Sequence, residues 1–344
     1  MEYMKAIAVM GPNDIRVVDD VPKPVLGDYE ALVKVHACGF CNGTDMQIIT
    51  GTGGDLGNSV SIYPTVLGHE GAGEVVAVGK KVRHIHVGER WLHPNLYPDV
   101  GNGYTKTHGS MAEYGMVSDN QAMLEDGFAE KDFPWVKQHK FPNTMSYIDA
   151  GVLLSLAESH SAAKNFGVTE GTEILIYGSG PMGMALSLFC GLRGGHVTQI
   201  DRIQERLEMS KRIAKTEHTI NSSVEDVDAV LNGKKFDVAI DIVGFTDIIY
   251  EASRHVKPGG KVGSMGVLRS NDLVVDTSRL QNNTSLNFPY GEYAILDETI
   301  ALIEAGKVNP KDFYSHVLPY EKIEEAVQLT LSKQALKVIL DFDA

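Results

Sequence analysis

Cysteine is scarce: Cys38, Cys41 and Cys190 are the three in 344 residues. They are too few and too unevenly placed for a disulfide framework, which fits a reducing compartment and leaves the thiols for metal binding or catalysis. Long apolar runs are also missing, since no stretch reaches the ~20 residues that a membrane-spanning helix needs. The opening MEYMKAIAVM has one lysine and a strand-like alternation, not the apolar core and small-residue cleavage site of a signal peptide. A cytoplasmic protein with no membrane partner is expected. Basic charge is short as well: 31 Lys plus Arg against 45 Asp plus Glu give a net charge of −14 at pH 7, which disfavours nucleic acid as a partner. These charges are interspersed among apolar residues, as on a solvated surface. Internal repeats and low-complexity segments are absent.

A hydrophobic content of 43% over this length exceeds what one core usually supports, so two domains are expected. The first part alternates short β segments, such as Lys5-Ala6-Ile7-Ala8-Val9 and Ala31-Leu32-Val33-Lys34-Val35, with Gly, Pro, Asn and Asp. Residues 146–166 are rich in Ala and Leu and read as one or two joining helices. From about Thr172 the pattern changes to an apolar strand at 174–177, a Gly-rich turn, a helix over 182–192, a strand at 196–200 and an amphipathic segment over 204–215. Further strands at 236–242 and 261–267, with helical material between, make an open parallel sheet the economical architecture. The tail has helical spacing at 296–305 and 320–332 and closes on a strand at 337–340.

Gly178-Ser179-Gly180-Pro181-Met182-Gly183 is G-x-G-x-x-G set between a strand and a helix, the context in which that motif holds a dinucleotide. Gly178 permits the tight turn, Gly180 lets backbone approach a pyrophosphate, and Gly183 lets the helix pack closely on the sheet. Pro181 and Met182 open the helix, whose free N–H groups face a phosphate. Asp201 ends the next strand, where a carboxylate accepts bonds from ribose hydroxyls and repels a 2′-phosphate, so NAD is expected over NADP. For the adjacent Arg202, stacking on adenine, facing solvent and tolerating a phosphate all remain open.

Two segments of the β-rich part hold metal-ligand residue types: Cys41-Asn42-Gly43-Thr44-Asp45 and Gly68-His69-Glu70-Gly71. A buried cysteine also serves as a small hydrophobe, and a histidine beside a glutamate in a Gly-rich turn is often only hydrogen-bonded. Together, thiolate, imidazole and carboxylate form an open Zn²⁺ set with a position left for substrate.

These two segments, Gly109-Ser110-Met111-Ala112-Glu113-Tyr114, the 178–183 turn and Lys257-Pro258-Gly259-Gly260-Lys261-Val262 stand in an order that resembles the zinc-dependent medium-chain alcohol dehydrogenases over essentially the whole chain, with most similarity to the sorbitol, threonine and glucose dehydrogenase branch. The resemblance implies an α/β fold: a GroES-like, β-rich catalytic domain over 1–154, a Rossmann-type doubly wound parallel sheet over 155–292, and a return to the catalytic domain over 293–344. It implies catalytic zinc on Cys41, His69 and Glu70, with Thr44 passing the proton, an alcohol substrate, and a homodimer or homotetramer. One residue more separates Cys41 from Thr44 than in the usual C-G-[ST]-D. The segment 91–108 lacks the four cysteines of a structural zinc lobe, so one catalytic zinc and no structural zinc are expected, with packing through Trp91, Tyr97 and Tyr104 instead. Near Leu154-Ser155, where the branch places a ligand Glu, this chain has its glutamate one turn later at Glu158; that residue and water both stand as candidates for the fourth ligand.

Other residues receive plainer readings: Cys38 as core in spite of its C-x-x-C spacing to Cys41, His93 as a loop histidine with a substrate-facing position as the alternative, and His84 and His86 as surface. Polar residues over 97–108 favour a polyol, sugar or amino alcohol. Two competing functions remain at this stage: a zinc-free quinone or enoyl reductase of the same superfamily, and a non-catalytic NAD-binding sensor.

Overall fold

A computed structural model describes residues 2–52, 62–135, 137–268, 272, 274–287 and 295–344. The chain forms two units, one of Met1–Leu153 with Val308–Ala344 and one of Leu154–Lys307.

The first unit is built on the strand Glu30–Phe40, in which nearly every residue is buried because both of its edges are paired. One edge meets Gly71–Val78. The other is shared between Tyr114–Ser118 and Val338–Asp341. The sheet continues to Arg90–Leu92 and His139–Phe141 on one side and to His316–Pro319 on the other. A second sheet runs Asp14–Pro22, Tyr3–Gly11, Thr65–Val66, Tyr104–Lys106, Asp99–Gly101. Ile7, Phe40, Ile48, Leu67, Met111, Val338 and Leu340 share one buried cluster, so residues from both ends of the sequence make a single core. In the cysteine-free segment, Asn102 and Gly103 turn a short hairpin at φ 52° and 82°. Tyr104 donates to Asp20 at 2.7 Å, Tyr97 donates to Glu30 and tilts its ring against Trp135, and Trp91 packs on the cluster of Val33, Val75 and Ile85.

The second unit carries a six-stranded sheet in the order His218–Asn221, His196–Asp201, Glu173–Tyr177, Phe236–Asp241, Val256–Ser264, Ser285–Asn287, parallel throughout. The strand order reverses beside Glu173–Tyr177, and ligands of such sheets bind beyond the carboxyl ends of the strands at that reversal. The Lys-Pro-Gly-Gly stretch departs from expectation: it lies within Val256–Ser264, where the register jumps from Phe236↔Val256 to Val238↔Lys261 as a bulge.

The boundary expected at 292/293 falls outside the described residues. The helix Leu296–Glu304, expected in the returning chain, groups with the second unit, and the return lies at Val308. Thr299 Oγ1 lies 2.9 Å from His160 Nδ1 and Glu298 pairs with Lys164 at 3.1 Å, which anchors this helix to Leu153–Asn165. Among the described residues no helix is long and apolar enough to cross a membrane.

Candidate functional site

Cys41 follows directly on Glu30–Phe40, and His69 and Glu70 directly precede Gly71–Val78, so the pairing of these two strands brings the three side chains together. One ligand atom from each lies within 4.8 Å of the others. Gly68 takes φ +99° in the turn, and a Cβ there would strike Met111, so glycine is required where the histidine enters.

The imidazole is oriented from behind. Asp45, fully buried at the start of the helix Thr44–Thr50, accepts the Cys41 N–H at 2.9 Å through Oδ2 and sets Oδ1 3.4 Å from His69 Nδ1. His69 Nε2 points the other way, 3.9 Å from Glu70 Oε1. Burial opposes charge on His69, but Asp45 and Cys41 outweigh it and raise its pKa well above the ordinary value, so the cluster attracts positive charge. Glu70 Oε1 also accepts from Lys337 Nζ at 2.7 Å, with both residues 3% exposed. With Cys41 as thiolate and His69 neutral, as metal ligation requires, Cys41, Asp45 and Glu70 set against Lys337 leave two negative charges, which a divalent metal balances. Zinc bonds of about 2.0–2.3 Å place tetrahedral ligand atoms ~3.3–3.8 Å apart, so a modest closing of the cluster suffices.

Two more histidines border this turn. His93 is buried and its Nδ1 lies 2.6 Å from the His69 carbonyl, so it fixes the ligand turn, which its reading as a plain loop residue had missed. Desolvation holds its pKa down to about 3, and it is the neutral ring that donates here. The His108 ring tilts toward His69 with centroids 5.2 Å apart. His84 and His86 pair with Glu125 and Glu89 at the surface, and Cys38 is core. Thr44 is the first residue of Thr44–Thr50, and Asn42, part of the lengthened spacing, donates to the Leu336 carbonyl at 2.9 Å. Glu158 belongs to the helix Leu153–Asn165.

In the second unit the Gly-rich turn follows Glu173–Tyr177. Gly178 has φ +108°, Gly180 is the extended N-cap, Pro181 and Met182 open the helix Pro181–Leu192, and a Cβ on Gly183 would overlap the Gly178 carbonyl oxygen. Asp201 Oδ2 accepts the Ser179 N–H at 2.6 Å, and Oδ1 accepts those of Arg202 and Ile203 at 2.7 and 2.8 Å. Asp241, fully buried at the end of Phe236–Asp241, likewise gathers the N–H groups of Val243, Gly244 and Phe245 and the Ser264 hydroxyl. Its loop abuts the glycine turn, since a Cβ on Gly178 would meet Val243 Cγ2 at 3.1 Å. Sequence reading missed Asp45, Lys337 and Asp241; an acid at the end of a parallel strand was the available signal for the last.

The family described as Alcohol dehydrogenase GroES-like domain matches residues 27–125, and the one described as Zinc-binding dehydrogenase matches residues 181–304. Sorbitol dehydrogenase of Bacillus subtilis (strain 168) is 27% identical over 352 residues, covering 98% of this chain and 97% of that protein. L-threonine 3-dehydrogenase of Shewanella woodyi is 26% identical over 349 residues, covering 99% and 100%. The benzyl alcohol dehydrogenase of Acinetobacter calcoaceticus shares the fold at a TM-score of 0.81 and 18% identity, covering 99% of each chain.

Proposed function

Because the chain belongs to the zinc-dependent medium-chain alcohol dehydrogenase family of oxidoreductases, we propose that it oxidises a secondary hydroxyl of a polyol, sugar or amino alcohol and passes the hydride to NAD. The observation that carries this reading is the cluster of half-buried Cys41 and His69 with buried Glu70, whose donor set suits one divalent ion. The sorbitol and threonine dehydrogenases among its relatives support a small polar substrate.

A zinc ion bound there supplies Lewis acidity toward the substrate oxygen. Cys41 Sγ, His69 Nε2 and the Glu70 carboxylate would hold it, with Asp45 Oδ1 facing the imidazole Nδ1 at 3.4 Å to orient the ring. Lys337 takes part of the Glu70 charge, which keeps the donor set from becoming too anionic. Thr44 would relay the proton of the substrate hydroxyl, accepting it while giving its own to a ribose hydroxyl or water and so to solvent. In the second unit the N–H groups at the start of Pro181–Leu192 would hold the pyrophosphate, and Asp201 would accept from ribose and repel a 2′-phosphate. The three unpaired cysteines suit a reducing cytoplasm.

Protein purified without chelator should contain about one zinc per chain, and NAD reduction should be measurable within a panel of polyols, aldoses, amino alcohols and short secondary alcohols. Chelation should abolish turnover. Full turnover by metal-free protein would restore the zinc-free reductase reading. NADH binding without turnover of any alcohol would favour a sensor.

A further inference from the structure

A central parallel strand is normally a run of apolar residues because both its faces are covered. The strand His196–Asp201 instead reads His-Val-Thr-Gln-Ile-Asp, and Gln199 in it is fully buried. Burying an unpaired amide costs about 1–3 kcal/mol in proteins, and here every polar atom of the amide is used. Gln199 Nε2 donates to the Gly178 carbonyl at 2.8 Å, and Gln199 Oε1 accepts from the Ser210 hydroxyl. Ser210 Oγ lies 2.6 Å from Thr216 Oγ1, which lies 2.7 Å from Ser187 Oγ.

The amide oxygen only accepts, so the Ser210 hydroxyl donates to it, and the Thr216 hydroxyl has three acceptors within reach: Ser210 Oγ, the Ser210 carbonyl at 3.3 Å and Gln199 Oε1 at 3.5 Å. Ser187, Ser210 and Thr216 are at most 6% exposed, so these groups satisfy one another rather than water. The chain ends in an N–H aimed at the carbonyl of the first glycine of the turn.

The partner end of the same peptide group is held too. The carbonyl of Gly178 and the N–H of Ser179 belong to one peptide plane, and Asp201 Oδ2 accepts that N–H at 2.6 Å. Gln199 and Asp201, two positions apart on one strand face, therefore clamp the plane from which Gly180 and the helix start project. We infer that Gln199 is a positioning residue for the dinucleotide: it presets the 178–179 peptide so that the turn meets the pyrophosphate without reorganising on binding. This rests on the dinucleotide reading of the turn.

NADH and NADPH titrations of the full-length, metal-loaded chain test it, read by nucleotide fluorescence beside the melting temperature. Gln199→Leu should weaken NADH binding roughly 5- to 10-fold while leaving the zinc content and the alcohol KM at saturating NAD as in the wild type. Ser210→Ala, which keeps the Gln199 donor but removes the group orienting it, should weaken binding by about 2- to 3-fold. Gln199→Glu should add a pH dependence to NADH affinity that the wild type lacks, binding better at low pH where the buried acid keeps a proton to donate to Gly178. If Gln199→Leu does not fold, the other two variants decide. Parental affinity and no added pH dependence in the folded variants, even with lowered melting temperatures, would leave Gln199 a purely structural part and overturn the inference. A wild-type chain that binds neither nucleotide removes the dinucleotide reading and this inference with it.

Discussion

Lys337 and Glu70 form an ion pair with almost no access to water, and such a pair is far costlier to break on one side than to replace as a whole. Lys337→Met takes the ammonium from a carboxylate that must then be protonated or compensated by metal. Metal-free Lys337→Met should lose about 3–5 kcal/mol of stability, and the zinc-loaded variant clearly less; equal losses in the two forms would show that metal and lysine do not compete for the same charge. At Cys41, replacement by serine removes the soft ligand but not the backbone N–H that Asp45 holds, so Cys41→Ser should fold, fail to retain zinc and lose turnover. A metal-replete, active variant would remove this thiol from the site. Asp201 is more entangled. Three of its roughly four acceptor positions are taken by backbone N–H groups, leaving room for one ribose hydroxyl at Oδ2. Asp201→Ser should therefore raise the NADP to NAD ratio of kcat/KM by about 10- to 100-fold while weakening both cofactors. Asp201→Asn, which keeps one acceptor oxygen, should shift the ratio with less loss; an unchanged ratio in both variants would mean that Asp201 does not read the 2′ position.

The elements were legible where a local pattern decides them. Gly178 to Asp201 could be read because strand, turn, helix and acid follow one another within a single βαβ unit, and Cys41 with His69 and Glu70 because each sits at the end of a strand with a recognisable turn. Lys337 could not, since a lysine ahead of Val-Ile-Leu reads as a strand end in water. Its burial follows from Val338–Asp341 pairing with residues nearly 300 positions earlier. Gln199 escaped for the same reason: which side chain fills the space under the turn is a tertiary fact. The strand expected at 261–267 begins earlier, at Val256, because a bulge absorbs the proline and glycines of Lys-Pro-Gly-Gly that ordinarily interrupt pairing. Close packing at the glycine turn yields a prediction for that element. Gly183→Ala would force the helix Pro181–Leu192 away from the Gly178 carbonyl, costing about 1–3 kcal/mol and weakening NADH more than it weakens zinc retention. Tight NADH binding by a stable Gly183→Ala protein would be inconsistent with this packing.

For the whole molecule, two units with separate cores place the two proposed ligands on separate supports. Hydrogen exchange should resolve them: adding NADH should slow amides over 177–184 and 200–203, and chelation should speed those over 39–45 and 68–72. A uniform response across both units to either treatment would contradict that division. The closing strand Val338–Asp341 carries a consequence for biosynthesis. Domains ordinarily fold in the order in which they leave the ribosome, but here the unit begun first is completed after the second, because residues 37–40 of its central strand Glu30–Phe40 lack their second neighbour until residues 338–341 emerge. At about 5–20 residues per second, roughly 10 to 40 s pass between the synthesis of residue 153 and of that strand, during which the edge at residues 37–40 waits unpaired while the sequence of Leu154–Lys307 is made and completed. A premature stop just ahead of residue 338 should thus destabilise the first unit although its other strands are already made, and chaperone demand should concentrate on that unit.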